Sequence, residues 1–124
     1  MISEVCGPSI GDLLNYCGGT FTLKTTLMIL YQMITRFENL HKKGIVHCDI
    51  KPENIIMGLK RLSHVAYLID YGISNFWLNK KGEHIDLQSD CSLIGTVRYV
   101  SVNSHLGFEL TRRDDLIGLG YLVY

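Results

Sequence analysis

Apolar side chains recur at helical spacing through the first third of the chain, and shorter apolar runs follow. The most regular stretch begins after Thr20 or Thr22, either of which can cap a helix, and it ends before Gly44, which suits a helix end. Positions three or four residues apart predict a long amphipathic helix between these ends: Leu23, Leu27, Leu30, Ile34, Phe37 and His41. Further apolar residues lie off this stripe, so the helix is expected to be buried on more than one side.

Short apolar runs after this helix predict strands at residues 45–46, 55–57 and 65–69. The polar residues 58–64 separate the last two runs, which are therefore predicted to pair as a hairpin.

Four further segments are predicted in the rest of the chain. Residues 1–6 form a predicted strand, residues 10–16 a short helix and residues 73–98 a long loop. Asp114 or Asp115 is expected to open a final helix. Helices mixed with short strands in this order predict an α+β fold.

Composition narrows the class of protein. Of the 124 residues 47% are hydrophobic and 19% charged, and the net charge at pH 7 is zero. These values indicate a globular domain and argue against nucleic acid or a membrane as partner. Four cysteines without metal-ligand spacing, no secretory leader and no long apolar run predict a cytoplasmic or nuclear location. Both ends fall inside apolar runs, which predicts a partial domain over 1–124.

An acid, a lysine and an amide lie close together on a loop between two predicted strands. Asp49 can accept the proton of an attacking hydroxyl, and Lys51 can neutralise a transferring phosphoryl group. Asn54 and the more distant Asp70 offer oxygen ligands of the kind that Mg²⁺ prefers. Gly72 is expected to free the backbone just after Asp70. The pattern predicts phosphoryl transfer.

The sequence His-Cys-Asp-Ile-Lys-Pro-Glu-Asn at 47–54, followed by Asp-Tyr-Gly at 70–72, resembles the catalytic-loop and metal-loop pair of eukaryotic protein kinases. Its Lys-Pro-Glu-Asn form is similar to the serine/threonine branch. The flanking segments 7–14, 95–103 and 112–116 resemble the casein kinase 1 family. The resemblance implies a mainly helical C-terminal lobe of a protein-kinase fold with short β-hairpins, preceded by the hinge strand. It also implies a protein serine/threonine kinase that uses ATP and Mg²⁺.

The same resemblance implies a nucleotide site. Backbone groups of Glu4 and Cys6 would meet the adenine at the hinge. Asp12 would lie near the ribose, and Ile56 would form the floor beneath the adenine.

The resemblance further implies residues that support the catalytic loop or bind substrate. Thr96 would hydrogen-bond the catalytic aspartate and lysine, and Asp115 would anchor their loop from the last helix. Arg98 would help bind acidic or already phosphorylated protein substrates, with a local salt bridge as the open alternative. His47 would be a packed structural residue rather than a base.

Two departures and one absence set limits on this interpretation. Cys48 replaces the arginine that usually pairs with an anion on the activation loop, so activity is expected not to require phosphorylation there. Gly118 replaces a usual serine and is expected to weaken the final helix. No glycine-rich phosphate loop, strand lysine or partner glutamate occurs in 1–124. Two alternatives stay open: a truncated, non-catalytic interaction module, and a small-molecule phosphotransferase, against which the substrate loop at 95–103 argues.

Overall fold

Four helices and four short strands succeed one another in the computed structural model, which describes residues 6–123. In chain order they are α1 (Ile10–Tyr16), α2 (Leu23–Lys42), β1 (Ile45–Val46), β2 (Ile55–Met57), β3 (Ala66–Leu68), β4 (Asn75–Phe76), α3 (Val102–His105) and α4 (Arg112–Val123). This mixture of helices and small antiparallel sheets is the α+β class that the sequence predicted. The strand predicted over 1–6 lies outside the described residues, apart from Cys6.

Side-chain caps define where the first two helices begin. Ser9 caps α1 and exchanges hydrogen bonds with Asp12 in a capping box. Thr22, rather than Thr20, caps α2 by accepting a hydrogen bond from the backbone N–H of Thr25. Gly44 follows the end of α2 with φ +80°, as expected for a glycine that closes a helix.

Helix α2 is buried on one side only, so the expectation of burial on more than one side was wrong. Met33 and Phe37 are its fully buried residues, whereas Leu23 is 75% exposed and Tyr31 is 76% exposed. Among the described residues, the elements that contact α2 are chiefly α4, β3 and β1. The regular apolar stripe did not reveal which of its positions would face those neighbours.

Two antiparallel strand pairs hold the loops of the molecule in place. Strand β2 pairs with β3 in the predicted hairpin, with Ile55 opposite Leu68, although β3 is shorter than the predicted run 65–69. Strand β1 pairs with β4, and Val46 lies opposite Asn75. Strand β4 falls inside the segment predicted as a loop over 73–98, where its exposed residues give no alternating apolar pattern.

The core lies between α2, the β2–β3 hairpin and α4. Met33, Phe37, Ile55 and Leu119 are buried members of this cluster, together with Ile50 from the loop after β1. The burial of Ile50 ties that loop to the core.

Helix α4 begins at Arg112, earlier than the predicted start at Asp114 or Asp115. The carboxylate of Asp114 accepts a hydrogen bond from the backbone N–H of Thr111, so this aspartate caps the first turn from inside the helix. Gly118 is buried where α4 crosses the loop after β1. A Cβ built there would lie 3.0 Å from Cβ of Ile50 and 3.2 Å from the carbonyl oxygen of Tyr99. The glycine therefore permits a close approach, which its helix propensity alone did not indicate.

Alanine at the two interior glycines of α4 should have opposite effects on stability. A Cβ at Gly120 has no heavy atom within 4 Å, so Gly120→Ala should raise the free energy of unfolding by about 0.5–1 kcal/mol through helix propensity. Gly118→Ala carries the same propensity gain but crowds Ile50, so it should be at least ~1 kcal/mol less stable than Gly120→Ala. Urea unfolding of both variants measures the difference, and equal stabilities would contradict the close packing.

Candidate active site

The loop after β1 is fastened to the first turn of α4 by one buried carboxylate. Asp115 Oδ2 accepts a hydrogen bond from the backbone N–H of His47 at 2.9 Å, and Oδ1 accepts one from the N–H of Cys48 at 3.0 Å. Cys48 has φ +70°, a left-handed conformation that is uncommon for a non-glycine residue. Because two consecutive N–H groups are held by one side chain, this backbone conformation is fixed by its surroundings.

Three side chains converge on the carboxylate of Asp49, which is itself buried. Lys51 Nζ lies 2.6 Å from Oδ2, and Asn54 Nδ2 donates to the same oxygen at 3.0 Å. Thr96 Oγ1 donates to Oδ1 at 2.7 Å. The structure therefore brings together four of the residues that the sequence assigned to phosphoryl transfer.

The protonation of this cluster follows from its contacts. Burial acts to raise the pKa of Asp49, but the hydrogen bonds from Lys51, Thr96 and Asn54 outweigh it and hold the pKa below its usual value. The hydrogen bond to Asp49 raises the pKa of Lys51, and the nearby charge of Asp70 acts in the same direction. At neutral pH the site therefore holds a carboxylate beside an ammonium group.

Asp70 lies next to Asn54 at the end of the β2–β3 hairpin. The backbone N–H of Ile69 donates to the carbonyl oxygen of Asn54 at 3.0 Å, and this bond extends the strand pairing to the residue before Asp70. Both hydrogen bonds of the Asn54 side chain use its nitrogen, Nδ2. The Asn54 oxygen and the exposed Asp70 carboxylate therefore fit the few hard oxygen ligands that Mg²⁺ takes from a protein.

Gly72 does not provide the conformational freedom that was expected of it. Asp70 itself has the left-handed conformation, with φ +64°, whereas Gly72 is not among the described glycines with positive φ. The N–H of Gly72 donates to Asp70 Oδ1 at 3.3 Å, and a Cβ on Gly72 would lie 3.2 Å from that oxygen. The glycine keeps space beside the carboxylate.

Thr96 reaches Asp49 because the preceding glycine lets two loops approach closely. Gly95 has φ +95°, and a Cβ built on it would lie 2.5 Å from the carbonyl oxygen of Cys48. The hydroxyl of Thr96 contacts Asp49, and the described residues show no Thr96 bond to Lys51.

Two of the residues assigned to the nucleotide, Ile56 and Cys6, lie in or beside β2. The N–H of Gly7 donates to the carbonyl oxygen of Met57 at 2.9 Å, which places Cys6 beside this strand. Ile56 is buried and Cys6 is exposed. The Asp12 carboxylate accepts hydrogen bonds from the side chain and the backbone N–H of Ser9, and these bonds lower the pKa of Asp12. Glu4 lies outside the described residues.

Arg98 is exposed near the end of the loop that carries Thr96. Its guanidinium lies 5.7 Å from the ring centroid of Tyr99. Within residues 6–123 it forms no ion pair, so the local salt bridge considered for it is absent from the described contacts.

Sequence reasoning missed the contribution of His41. Its Nε2 lies 2.9 Å from Asp115 Oδ2, and its ring stacks on Phe37 with centroids 5.9 Å apart. The residue was assigned to an apolar stripe, and only its polar side chain at the end of that stripe could have indicated a partner. His47 is fully buried, and its Nε2 lies 2.9 Å from the carbonyl oxygen of Ile69.

Cys48 belongs to a small buried apolar cluster with Val46 and Leu110, against which Trp77 packs. Burial raises the pKa of this thiol to about 12, and the charge of Asp115 adds to the effect. The thiol therefore stays protonated at neutral pH and cannot act as a nucleophile.

The sequence matches a known protein family. The family model described as the protein kinase domain matches residues 1–124, which is the whole chain. The chain belongs to the protein kinase family. Kinases are ATP-dependent phosphotransferases, and the described site holds a carboxylate, an ammonium group and two candidate metal ligands, which suit that chemistry. None of the helices within residues 6–123 is long and apolar enough to span a membrane.

Removing Lys51 from the kinase should change how acid destabilises it. The depressed pKa of Asp49 contributes stability above its unfolded value near 3.8, and this contribution is lost as the pH falls through the folded pKa. In Lys51→Ala one of the hydrogen bonds that lower the pKa of Asp49 is lost, while burial still acts to raise it. The pKa of Asp49 should therefore rise, and acid destabilisation should begin at a higher pH. Urea midpoints from about pH 3 to pH 7 test this shift. Lys80→Ala, at an exposed lysine, is the control, and superimposable pH profiles for Lys51→Ala and the unchanged protein would contradict the coupling.

Proposed function

We propose that this kinase is a protein serine/threonine kinase of casein kinase 1 type, which transfers the γ-phosphoryl group of ATP to serine or threonine of protein substrates. The observation that carries the proposal is the carboxylate of Asp49, held within hydrogen-bonding distance of Lys51, Asn54 and Thr96. An ionised carboxylate in this position can accept the proton of a substrate hydroxyl.

Each neighbour of Asp49 has a separate task in the proposed reaction. Lys51 neutralises charge on the transferring phosphoryl group, and its raised pKa keeps it cationic. Thr96 holds the substrate loop on the catalytic loop through its bond to Asp49. Asn54 and Asp70 would hold Mg²⁺, which when bound supplies positive charge to the phosphates of ATP.

The nucleotide would lie against β2 on the side of residues 6–8. Ile56 would form an apolar floor, and backbone groups of Glu4 and Cys6 would meet the adenine. The capping role of Asp12 is compatible with its proposed part at the ribose, since both hydrogen bonds from Ser9 go to Oδ2. Oδ1, which accepts no described hydrogen bond, would accept a ribose hydroxyl.

Two segments that resemble casein kinase 1 contact each other, which supports that type. Ser101 begins the Ser-Val-Asn sequence and caps α3. Its hydroxyl donates to Asp114 Oδ1 at 2.5 Å, and Asp114 belongs to the Arg-Arg-Asp-Asp sequence that opens α4. The contact holds the proposed substrate loop on the helix that also anchors the catalytic loop.

The surroundings of Cys48 support activity that does not depend on activation-loop phosphorylation. The charges of Asp115, Asp114 and Glu109 all act on its thiol and raise its pKa. A phosphate at this point would meet carboxylates instead of an arginine, and like charges in a partly buried site repel.

Asparagine at position 49 separates catalysis from nucleotide binding. In the full-length protein, Asp49→Asn should lower the phosphorylation rate by about a hundredfold or more, because the base is lost, while ATP affinity changes little. Radiolabelled phosphate transfer and fluorescent-nucleotide titration measure the two properties, with Asp90→Asn at an exposed loop residue as the matched control. Undiminished transfer would remove Asp49 from its role. Absence of transfer in the unchanged protein would favour the non-catalytic interaction module, and transfer to a small molecule alone would favour the third alternative.

Arg98 provides a test of substrate class. The exposed guanidinium suits bidentate binding of a phosphate, so Arg98→Ala should raise KM for a peptide that already carries a phosphoserine, by about tenfold. KM for the unphosphorylated peptide should change by much less. Steady-state kinetics with both peptides tests this, and Arg61→Ala at another exposed arginine is the control. Equal changes in KM for both peptides would overturn the role of Arg98 as an anion site.

A further inference from the structure

A broad groove lies apart from the proposed active site. It is bounded by the end of α2, by residues 77–87 and by the start of α4, and its volume is about 980 Å³. None of the residues assigned above to catalysis, metal binding, nucleotide or substrate is among its lining residues. The proposed phosphoryl transfer therefore leaves this groove without a role.

The walls of the groove are largely apolar. Trp77 lies on one side, fixed by a hydrogen bond of 2.9 Å from its indole nitrogen to the carbonyl oxygen of His41. Leu87 is 70% exposed and Leu116 is 48% exposed at the groove. These side chains can cover an apolar group or the aliphatic part of a long side chain.

Two cations of the groove lie beside carboxylates, and a third, Arg112, lies over an aromatic ring. Lys42 pairs with Glu38 at 2.6 Å, and Arg113 lies 3.5 Å from a carboxylate oxygen of Asp114. The guanidinium of Arg112 lies 3.6 Å from the ring centroid of Trp77, which is a close cation–π contact. An anion entering the groove would have to compete for these groups.

Two carboxylates of the groove have no cationic partner among the described residues. Glu109 Oε2 is buried and has no hydrogen-bond partner, and Glu109 Oε1 has one long contact, 3.3 Å from Nδ2 of Asn75. Asp86 is exposed in the same groove and forms no described hydrogen bond or ion pair. Glu109 Oε2 is covered by the protein, so an incoming cation would meet Asp86 and the part of Glu109 that lines the groove. Two carboxylates without a cation favour a positively charged ligand there.

We propose that this groove is a docking site for a short basic segment of a partner protein, in which an arginine or lysine pairs with Asp86 and Glu109 while a neighbouring apolar side chain packs on Leu87 and Leu116. The two unpaired carboxylates attract the cation, and the apolar walls accommodate its aliphatic stem and the neighbouring side chain. Docking at a surface separate from the reacting groups is independent of whether Asp49 acts as a base.

Peptide binding to the full-length protein tests the site directly. The probes are fluorescein-labelled peptides with an Arg-Leu-Arg core between glycine and serine residues, and matched peptides with Ala-Leu-Ala or Glu-Leu-Glu. Fluorescence polarisation should show binding of the first peptide, weaker binding of the second and none of the third. Glu109→Gln keeps the size of the side chain and should weaken Arg-Leu-Arg binding by about tenfold, as expected for loss of one charge of a partly buried ion pair.

Matched variants separate groove binding from general attraction to a basic peptide. Asp90→Asn makes the corresponding change at an exposed carboxylate that does not line the groove and should leave binding unchanged. Asp86→Asn and Leu87→Ser should each weaken binding without touching the buried glutamate, so they test the site even if Glu109→Gln unfolds. Equal binding of the basic and acidic peptides, or equal losses in Asp90→Asn and in the groove variants, would overturn the proposal.

Discussion

The buried carboxylate of Asp115 is the contact on which the arrangement of the molecule depends. It accepts the backbone N–H groups of His47 and Cys48 and lies 2.9 Å from the ring of His41. One side chain thus joins α2, α4 and the loop that carries the proposed base. These three contacts offset the cost of burying the carboxylate, and loss of any one of them would leave a buried oxygen less well satisfied.

The position of Asp49 depends on this contact. Cys48, which is bound by Asp115, has a left-handed backbone conformation, and the side chain of the following residue, Asp49, contacts Lys51 and Thr96. Gly118 allows α4 to lie directly against the same loop, so the backbone on both sides of Asp49 is held by packing as well as by hydrogen bonds. The proposed base therefore has a fixed direction before any substrate binds.

Much of this arrangement could be predicted from the chain alone, and the remainder depended on contacts distant in sequence. Helices α1, α2 and α4, the β2–β3 hairpin and the α+β class follow from local spacing, caps and turn residues, whereas the four-residue helix α3 was not predicted. The buried side of α2, the pairing of β1 with β4 and the partner of His41 are set by elements far along the chain, which spacing does not report. For the site, the grouping of Asp49, Lys51 and Asn54 is local to one loop. The approach of Gly95 and Gly118 to that loop requires knowing where two backbones cross.

The cluster around Cys48 has a consequence for how this kinase could change during evolution. Its thiol shares an apolar enclosure with Val46 and Leu110, which is closed by Trp77 and surrounded by acidic charge. An arginine introduced there by a single codon change would have little room, and it would lie near the carboxylates of Asp115, Asp114 and Glu109. A phosphate would have to compete with these carboxylates for that arginine, so control by phosphorylation would need further replacements besides the one at Cys48.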